Sequence, residues 1–342
     1  MNILFGIQGT GNGHISRARV LIKYLKQDGH NVTCLISGRN KDQLFDMEVF
    51  GDFWHRNGLT FITKNGRVDY IQTFLNNGLV SFFSEVNELS LDNFDLVITD
   101  FEPVTAWAAK RQNVTSIGIG HQYAFGPNTP LAGDNFISRW IMKNFAPTMT
   151  SIGLHWHPYA DNVLPPIIDT QLKSKPNGNH IIVYLPFENA QCVTQLLNHF
   201  SSYQFKLYAP NVKPIEAGNV SIRKTAYKAF KEDLASAKGV ICNSGFELIS
   251  ECLHLGLPIL TKPLHGQMEQ HSNALALKQL GFASVTENLD LASLGAWLEY
   301  ERKQIPQPLP NVAKYIANWI SSYQWQTGKL DFGRLWQSTL DR

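Results

Sequence analysis

The stretch from Gly239 to Leu264 constrains the fold of this chain most. Gly239 to Cys242 is a short apolar run of the buried-strand type. Asn243-Ser244-Gly245 breaks it. Ser244 with Glu247 three residues on is a capping-box pattern, so a helix is predicted to start there. Phe246, Ile249 and Leu253 fall on one helical face, and Gly256 with Pro258 marks the stop. A second apolar run, Pro258 to Leu264, follows at once. This is a βαβ unit with an open helix N-terminus beside the carboxyl end of a strand. Such a place binds anions, because free backbone N–H groups and the positive helix end point at the ligand.

The same alternation runs through the chain. Asn2 to Gln8 is an apolar strand, followed by Gly9, Gly11 and Gly13, a helix from Ile15 to Asp28, and a strand from Asn31 to Ser37. Further strands are predicted at Leu59 to Thr63, Asp95 to Thr99, Val114 to Gly120 and Ser151 to His157, with helices at Val68 to Leu91, Val104 to Arg111 and Asn135 to Phe145. Leu164-Pro165-Pro166 and Lys173 to Asn179 have linker character. The pattern then restarts at His180 and runs through the opening motif to a helix at Asp290 to Arg302. Pro306, Pro308 and Pro310 precede two terminal helices. The expected class is therefore α/β. It comprises two facing Rossmann-like domains with parallel sheets and a cleft between them, residues 1–164 and 180–310, joined by a linker at 165–179.

Composition excludes several functions. A net charge of +2 over 342 residues gives no basic footprint for nucleic acid. Cys34, Cys192, Cys242 and Cys252 show no C-x-x-C spacing and are read as small core residues of a reducing compartment. No run of eighteen apolar residues is present, and Met1 to Phe5 lacks a basic leader, so the cytoplasm is the expected compartment. The first loop tempts a dinucleotide reading. Its glycines are spaced G-x-G-x-G rather than G-x-G-x-x-G, and Ser37-Gly38-Arg39 offers no ribose carboxylate, so NAD binding is a minor contender.

Glu247 and Glu251 are like charges one helical turn apart, which helix stability alone disfavours. Glu247 has a reason in the cap. Glu251 is either a solvated helix residue or a carboxylate accepting from a ribose diol whose phosphate sits at the helix start. The ordered set Ser244-Gly245, Glu251, Gly256-Leu257-Pro258, Pro263, Glu269-Gln270 and Asn273-Ala274 resembles the donor-sugar signature of the GT-B glycosyltransferase superfamily. It is most similar to the inverting families of the UDP-glucuronosyltransferases and the peptidoglycan N-acetylglucosaminyltransferase. The resemblance implies that Ser244 and Gly245 face a diphosphate, Glu251 the ribose, and Glu269 with Gln270 the donor hexose. Retaining relatives carry a Glu eight positions before the ribose Glu; Asn243 stands there, which implies the inverting kind. The resemblance also implies that the last helices, 311–342, cross back onto the first domain.

An inverting enzyme needs a base on the acceptor side. In the resembling families a G-H pair in the first loop supplies it, here Gly13-His14, with Gly11 and Asn12 completing an acceptor or phosphate loop. Imidazole suits proton abstraction at neutral pH. The other reading is that His14 caps the helix or binds a phosphate. Asp100 matches the Asp that orients the base in these families, and strand ends of one parallel sheet share an edge. Asp100 could instead cap the helix after Pro103. His121, ending the next strand, is a reserve base. His155-Trp156-His157 offers two imidazoles without a third ligand and is read as a strand end at the cleft. No metal or cofactor is expected.

Two departures bear on the donor. Pro186-Phe187-Glu188-Asn189 replaces a Gly-rich loop, and the plant-type Trp-x-Pro-Gln element is missing, so Lys228-Ala229-Phe230 is expected to face the nucleobase. UDP is the implied nucleotide, and the acceptor is a glycan, lipid or small molecule. The helix with Phe136, Trp140, Ile141 and Phe145 beside Arg139 and Lys143 either rests on a membrane at its inner face or packs into the core with two snorkelling cations. Competing readings are a nucleotide-sugar 2-epimerase of the same fold, a non-catalytic nucleotide-sugar sensor, and an oxidoreductase.

Overall fold

A computed structural model describes residues 1–59, 63–64, 67–68, 78–133, 136–175, 178–210, 212–300, 306–327 and 333–340. The first half contains β1 (Asn2–Gln8), α1 (Asn12–Gln27), β2 (Asn31–Ser37), β3 (Trp54–His55) and a small antiparallel pair, β4 (Thr63–Lys64) with β5 (Arg67–Val68). It continues through α2 (Leu79–Glu88), β6 (Leu96–Asp100), α3 (Pro103–Gln112), β7 (Ser116–Gly120), α4 (Phe136–Asn144), β8 (Thr150–Leu154) and β9 (Val163–Leu164). Its main sheet has the order β3-β2-β1-β6-β7-β8-β9 and is wholly parallel.

The second half contains β10 (His180–Tyr184), α5 (Ala190–Asn198), β11 (Gln204–Ala209), β12 (Ile215–Ala217), β13 (Val220–Lys224), α6 (Tyr227–Ala235), β14 (Gly239–Asn243), α7 (Phe246–Leu255) and β15 (Ile259–Lys262). It ends with α8 (Met268–Leu280), β16 (Ser284–Val285), α9 (Leu291–Glu299), α10 (Val312–Ser321) and α11 (Gly333–Leu340). Its sheet order is β12-β13-β11-β10-β14-β15-β16, parallel except for β12 against β13. The continuous apolar strands are explained by burial on both faces: Ile3, Leu4, Phe5 and Ile7 of β1 are all enclosed.

In each sheet the chain reverses direction of growth beside its first strand. β1 lies between β2 and β6, and β10 lies between β11 and β14. Crevices at the carboxyl ends of such strand pairs are where open α/β sheets hold ligands. The two edges face one another. α10 packs on α1, where Asn311 Nδ2 donates to Tyr24 Oη at 2.6 Å and Ser321 Oγ to Asp28 Oδ2 at 3.0 Å.

Several expectations change. Leu59 is not in a strand, residues 60–62 lie outside the described residues, and β3 takes the place beside β2. Residues 69–77 also lie outside them, and α2 begins at Leu79. β8 stops at Leu154, so His155 to His157 follow the strand. The capping box at Ser244 does not form; Gly245 is the N-cap of α7, without a side-chain bond. Cys192 is exposed on the first turn of α5, whereas Cys34, Cys242 and Cys252 are buried. Beyond α4, Phe145 stacks on Phe101 at 4.9 Å, while Trp140 is 59% exposed. Among the described residues no helix is long and apolar enough to cross a membrane.

Candidate active site

α1 begins directly after the loop from β1, with Gly11 in extended conformation as its N-cap. This puts His14 in the first turn, above the end of β6, whose Asp100 pairs in register with Ile7. Phe101 turns the chain with a φ of 53°. Glu102 then caps α3, accepting from the N–H groups of Val104 at 2.9 Å and Thr105 at 2.7 Å. Asp100 is therefore not the cap. It is buried, with Oδ1 2.8 Å from His14 Nδ1. The His14 side chain keeps 14% exposure, and Gln122 Nε2 lies 3.5 Å from its other nitrogen.

Arg17 lies one turn after His14 on the same helix face. Its Nε donates to Asp100 Oδ2 at 2.6 Å, and its Nη2 to Oδ1 at 2.6 Å. Burial alone would raise the Asp100 pKa; the Arg17 guanidinium and then His14 outweigh it and hold the carboxyl below the usual range. Arg17 itself stays charged, since Asp100, Glu247 and Glu269 offset its desolvation.

The start of α7 stands opposite. Nothing lies within 4 Å of where a Gly245 Cβ would stand, so the helix N-terminus is open. Ser244 is buried, its hydroxyl 2.9 Å from Thr261 Oγ1, which leaves backbone rather than side chain at this turn. Asn243 Nδ2 donates to the Lys262 carbonyl at 3.2 Å. Lys262 pairs with Glu188 on the loop after β10. Asn189 caps α5 rather than reaching the cleft, accepting from Gln191 N at 2.9 Å.

Further along α7, Glu251 is buried and paired with Lys231 of α6. Desolvation works against the Lys231 charge and Glu251 restores it, leaving its pKa raised. Glu251, Lys231, Phe230, Tyr227 and Tyr184 line a cleft of about 660 Å³, open to solvent, whose other wall is Asn12, Gly13, Ile15, Ser16 and Arg19 of α1. Asn12 Nδ2 donates across it to Tyr184 Oη at 2.9 Å. The halves also approach closely at Gly13: a Cβ there would stand 3.2 Å from that of Glu247. Glu247 is 6% exposed, and neither carboxyl oxygen has a hydrogen-bond partner among the described residues. Burial pushes its pKa up to about 8, against Arg17, whose Nη1 is 3.5 Å away.

The remaining expected residues divide. Glu269 accepts from Gln122 Nε2 at 2.9 Å, beside His14. Gln270 Oε1 instead accepts from Leu264 N at 2.9 Å and shapes the loop after β15. His121, the reserve base expected from sequence, does not line the cleft. It is fully buried and stacked on Phe246 at 4.0 Å, its nitrogens 2.8 Å from the Leu154 carbonyl and 2.7 Å from Asn273 Oδ1. Trp156 is likewise sealed at the junction, with Nε1 donating to Ser250 Oγ at 2.8 Å. Sequence reasoning missed Arg17, Lys231, Tyr184 and Gln122. Only Arg17 carried a signal, its spacing of one turn from His14.

The sequence profile described as glycosyl transferase family 1 matches residues 1–301. The chain belongs to glycosyl transferase family 1. A search of curated proteins by sequence returns no match. Among solved structures, the transferase resembles MurG of Acinetobacter baumannii at 14% identity and a TM-score of 0.59, covering 94% of this chain and 99% of that one. The calicheamicin glycosyltransferase CalG4 gives 14% identity and a TM-score of 0.56, covering 96% and 94%. SsfS6 of Streptomyces sp. SF2575, solved with thymidine diphosphate, gives 12% and 0.57, covering 95% and 96%. The fold is GT-B, and the protein is a glycosyltransferase of that type.

Proposed function

We propose that this transferase moves a hexose from a nucleotide-sugar, with UDP as nucleotide, to an acceptor hydroxyl with inversion. Residues 1–164 with 311–342 form the acceptor side, and 180–310 the donor side. The observation that carries the reading is the His14–Asp100 contact of 2.8 Å facing the open N-terminus of α7. The donor diphosphate sits on the Gly245 backbone and the helix end, where the dipole and free N–H groups stabilise the leaving charge. Glu251 accepts from the ribose diol, Phe230 flanks the base, and Glu269 holds the hexose. The acceptor oxygen bonds to the anomeric carbon as the bond to the diphosphate oxygen breaks. Its proton passes to His14, and Asp100 stabilises the imidazolium. Asn243 supports inversion, since an amide stands where retaining relatives carry a carboxylate. The thymidine diphosphate in SsfS6 supports a nucleotide in the same fold.

The test is nucleotide release from a panel of nucleotide-sugars by the wild type, His14→Ala and Glu251→Ala. Release from one UDP-sugar that is lost in both variants supports the reading and names the donor. Binding of NAD(P)H with no nucleotide-sugar turnover overturns it.

A further inference from the structure

We propose that Asp46 of the first half is a positioning residue for the donor: it caps α6 of the second half and thereby orders the turn that seats the nucleotide. The inference rests on the reading of the cleft beside Glu251 as the nucleotide seat. α6 is a helix of nine residues, and helices so short are marginal on their own. Its first N–H groups have no partner within the helix and need an acceptor. α5 and α9 of the same half take theirs from their own leading residues, Asn189 and Asp290. α6 cannot, since its N-cap residue is Ala226, whose methyl group accepts nothing. The acceptor comes from the other half. Asp46 Oδ2 accepts from Tyr227 N at 2.8 Å, and a carboxylate at that end also meets the positive pole of the helix.

The segment between β2 and β3 holds Asp46 in this place. Asp46 has a φ of 53°, a left-handed conformation that Asp and Asn tolerate better than most residues with a side chain. Arg19 of α1 fixes the residues on either side: its Nη2 donates to the Phe45 carbonyl at 3.1 Å and lies 3.8 Å from Met47 Sδ. Its guanidinium also stands over two rings, 5.2 Å from the centroid of Phe50 and 4.9 Å from that of Tyr227. Tyr227, Phe230 and Lys231 form the start of α6 and line the cleft together with Phe45 and Arg19, and Lys231 pairs with Glu251. Asp46 itself does not line the cleft, so its influence on a nucleotide runs through α6.

Calorimetric titration with UDP tests the assignment. Loss of a cap amounts to about fivefold in an equilibrium constant, so Asp46→Gly, which keeps the turn and removes the acceptor, should raise the UDP Kd about fivefold. Asp46→Asn keeps both turn and acceptor and should stay within about twofold of the wild type. Ala226→Ser gives α6 a local cap. It should bring the Asp46→Gly protein back to within about twofold of the wild type, and change the wild type itself little. Amide exchange across residues 225–231 should rise in Asp46→Gly and fall again when Ala226→Ser is added. Asp46 is exposed, so these changes leave the core intact. At saturating donor, kcat of Asp46→Gly should hold within about twofold, since His14 and Asp100 keep their contact. An unchanged Kd in Asp46→Gly overturns the proposal. So does a weakened Kd that Ala226→Ser does not restore, for Asp46 would then tie the halves together without ordering α6. Unaltered UDP binding by Glu251→Ala removes the reading of the seat itself, whatever Asp46 does.

Discussion

Replacing Glu247 by Gln tests whether the two halves seal this carboxyl as the structure has it. The group lies between the first turn of α1 and the first turn of α7, with its pKa raised from 4.5 to about 8. Below about pH 4.5 the folded and unfolded chains both hold the proton, and the group costs nothing. Between 4.5 and about 8 the unfolded chain ionises while the folded one keeps its proton, so stability falls as pH rises. Above about 8 the full cost is present. At about 1.4 kcal/mol per tenfold in proton affinity, that cost is roughly 3–5 kcal/mol. Gln has the same shape and no proton to lose. Thermal or urea unfolding of both proteins at pH 5 and pH 9 should show the variant gaining on the wild type by that amount. At about 2–4 °C per kcal/mol, this is roughly 10 °C in Tm. A difference that is the same at both pH values would refute the reasoning. It would mean that Glu247 titrates as it does in the free chain, and that α1 and α7 do not close over it.

Three further outcomes follow from the same contacts. Gly13→Ala sets a methyl 3.2 Å from Glu247 Cβ. About 1–2 kcal/mol of overpacking between the halves should raise the donor KM roughly tenfold in steady-state kinetics. Glu102→Ala removes the cap of α3 and the buried acceptor of the Ser37 hydroxyl at 2.6 Å; urea melts should show a loss of roughly 3 kcal/mol. Lys231→Met leaves Glu251 buried without its partner. It should cost about 3–5 kcal/mol, most of it recovered in Lys231→Met with Glu251→Leu, and simple additivity of the two would contradict the pairing.

The βαβ unit around α7 was legible because its strand, helix and stop signals all agree. Gly256 ends the helix at a φ of 70°, and a side chain there would strike Pro306. The internal details were not legible, because tertiary neighbours decide them. Ser244 and Glu247 fit a capping box by spacing, yet Ser244 is held by Thr261 and Glu247 is covered by α1. Asp100 was a candidate cap for α3; the turn at Phe101 gives the cap to Glu102 instead, which no sequence signal marked. His121 ends a strand on the expected edge, but Phe246 and Asn273 cover that part of it. Arg17 shares a helix face with His14, but a basic residue on an amphipathic helix reads as solvent-facing until the sheet order brings β6 beside β1.

The distribution of charge also bears on how the halves move. Asp100 is paired with Arg17 inside the first half, and Glu251 with Lys231 inside the second. Neither pair must break for the halves to part. Among these acidic side chains, closure desolvates Glu247 without giving it a hydrogen bond, at roughly 3–5 kcal/mol near pH 9 and less below it. Against this stand cross-cleft hydrogen bonds, among them Asn12 to Tyr184, Gln122 to Glu269, His121 to Asn273, Ala132 to Ser272, Trp156 to Ser250 and Tyr227 to Asp46. At about 0.5–1.5 kcal/mol each these six come to roughly 3–9 kcal/mol. Ring contacts of Phe246 with His121 and Trp156 add to them. The net balance in favour of this arrangement shrinks as Glu247 loses its proton. The donor KM should therefore rise as the pH passes about 8, and Glu247→Gln should abolish the rise.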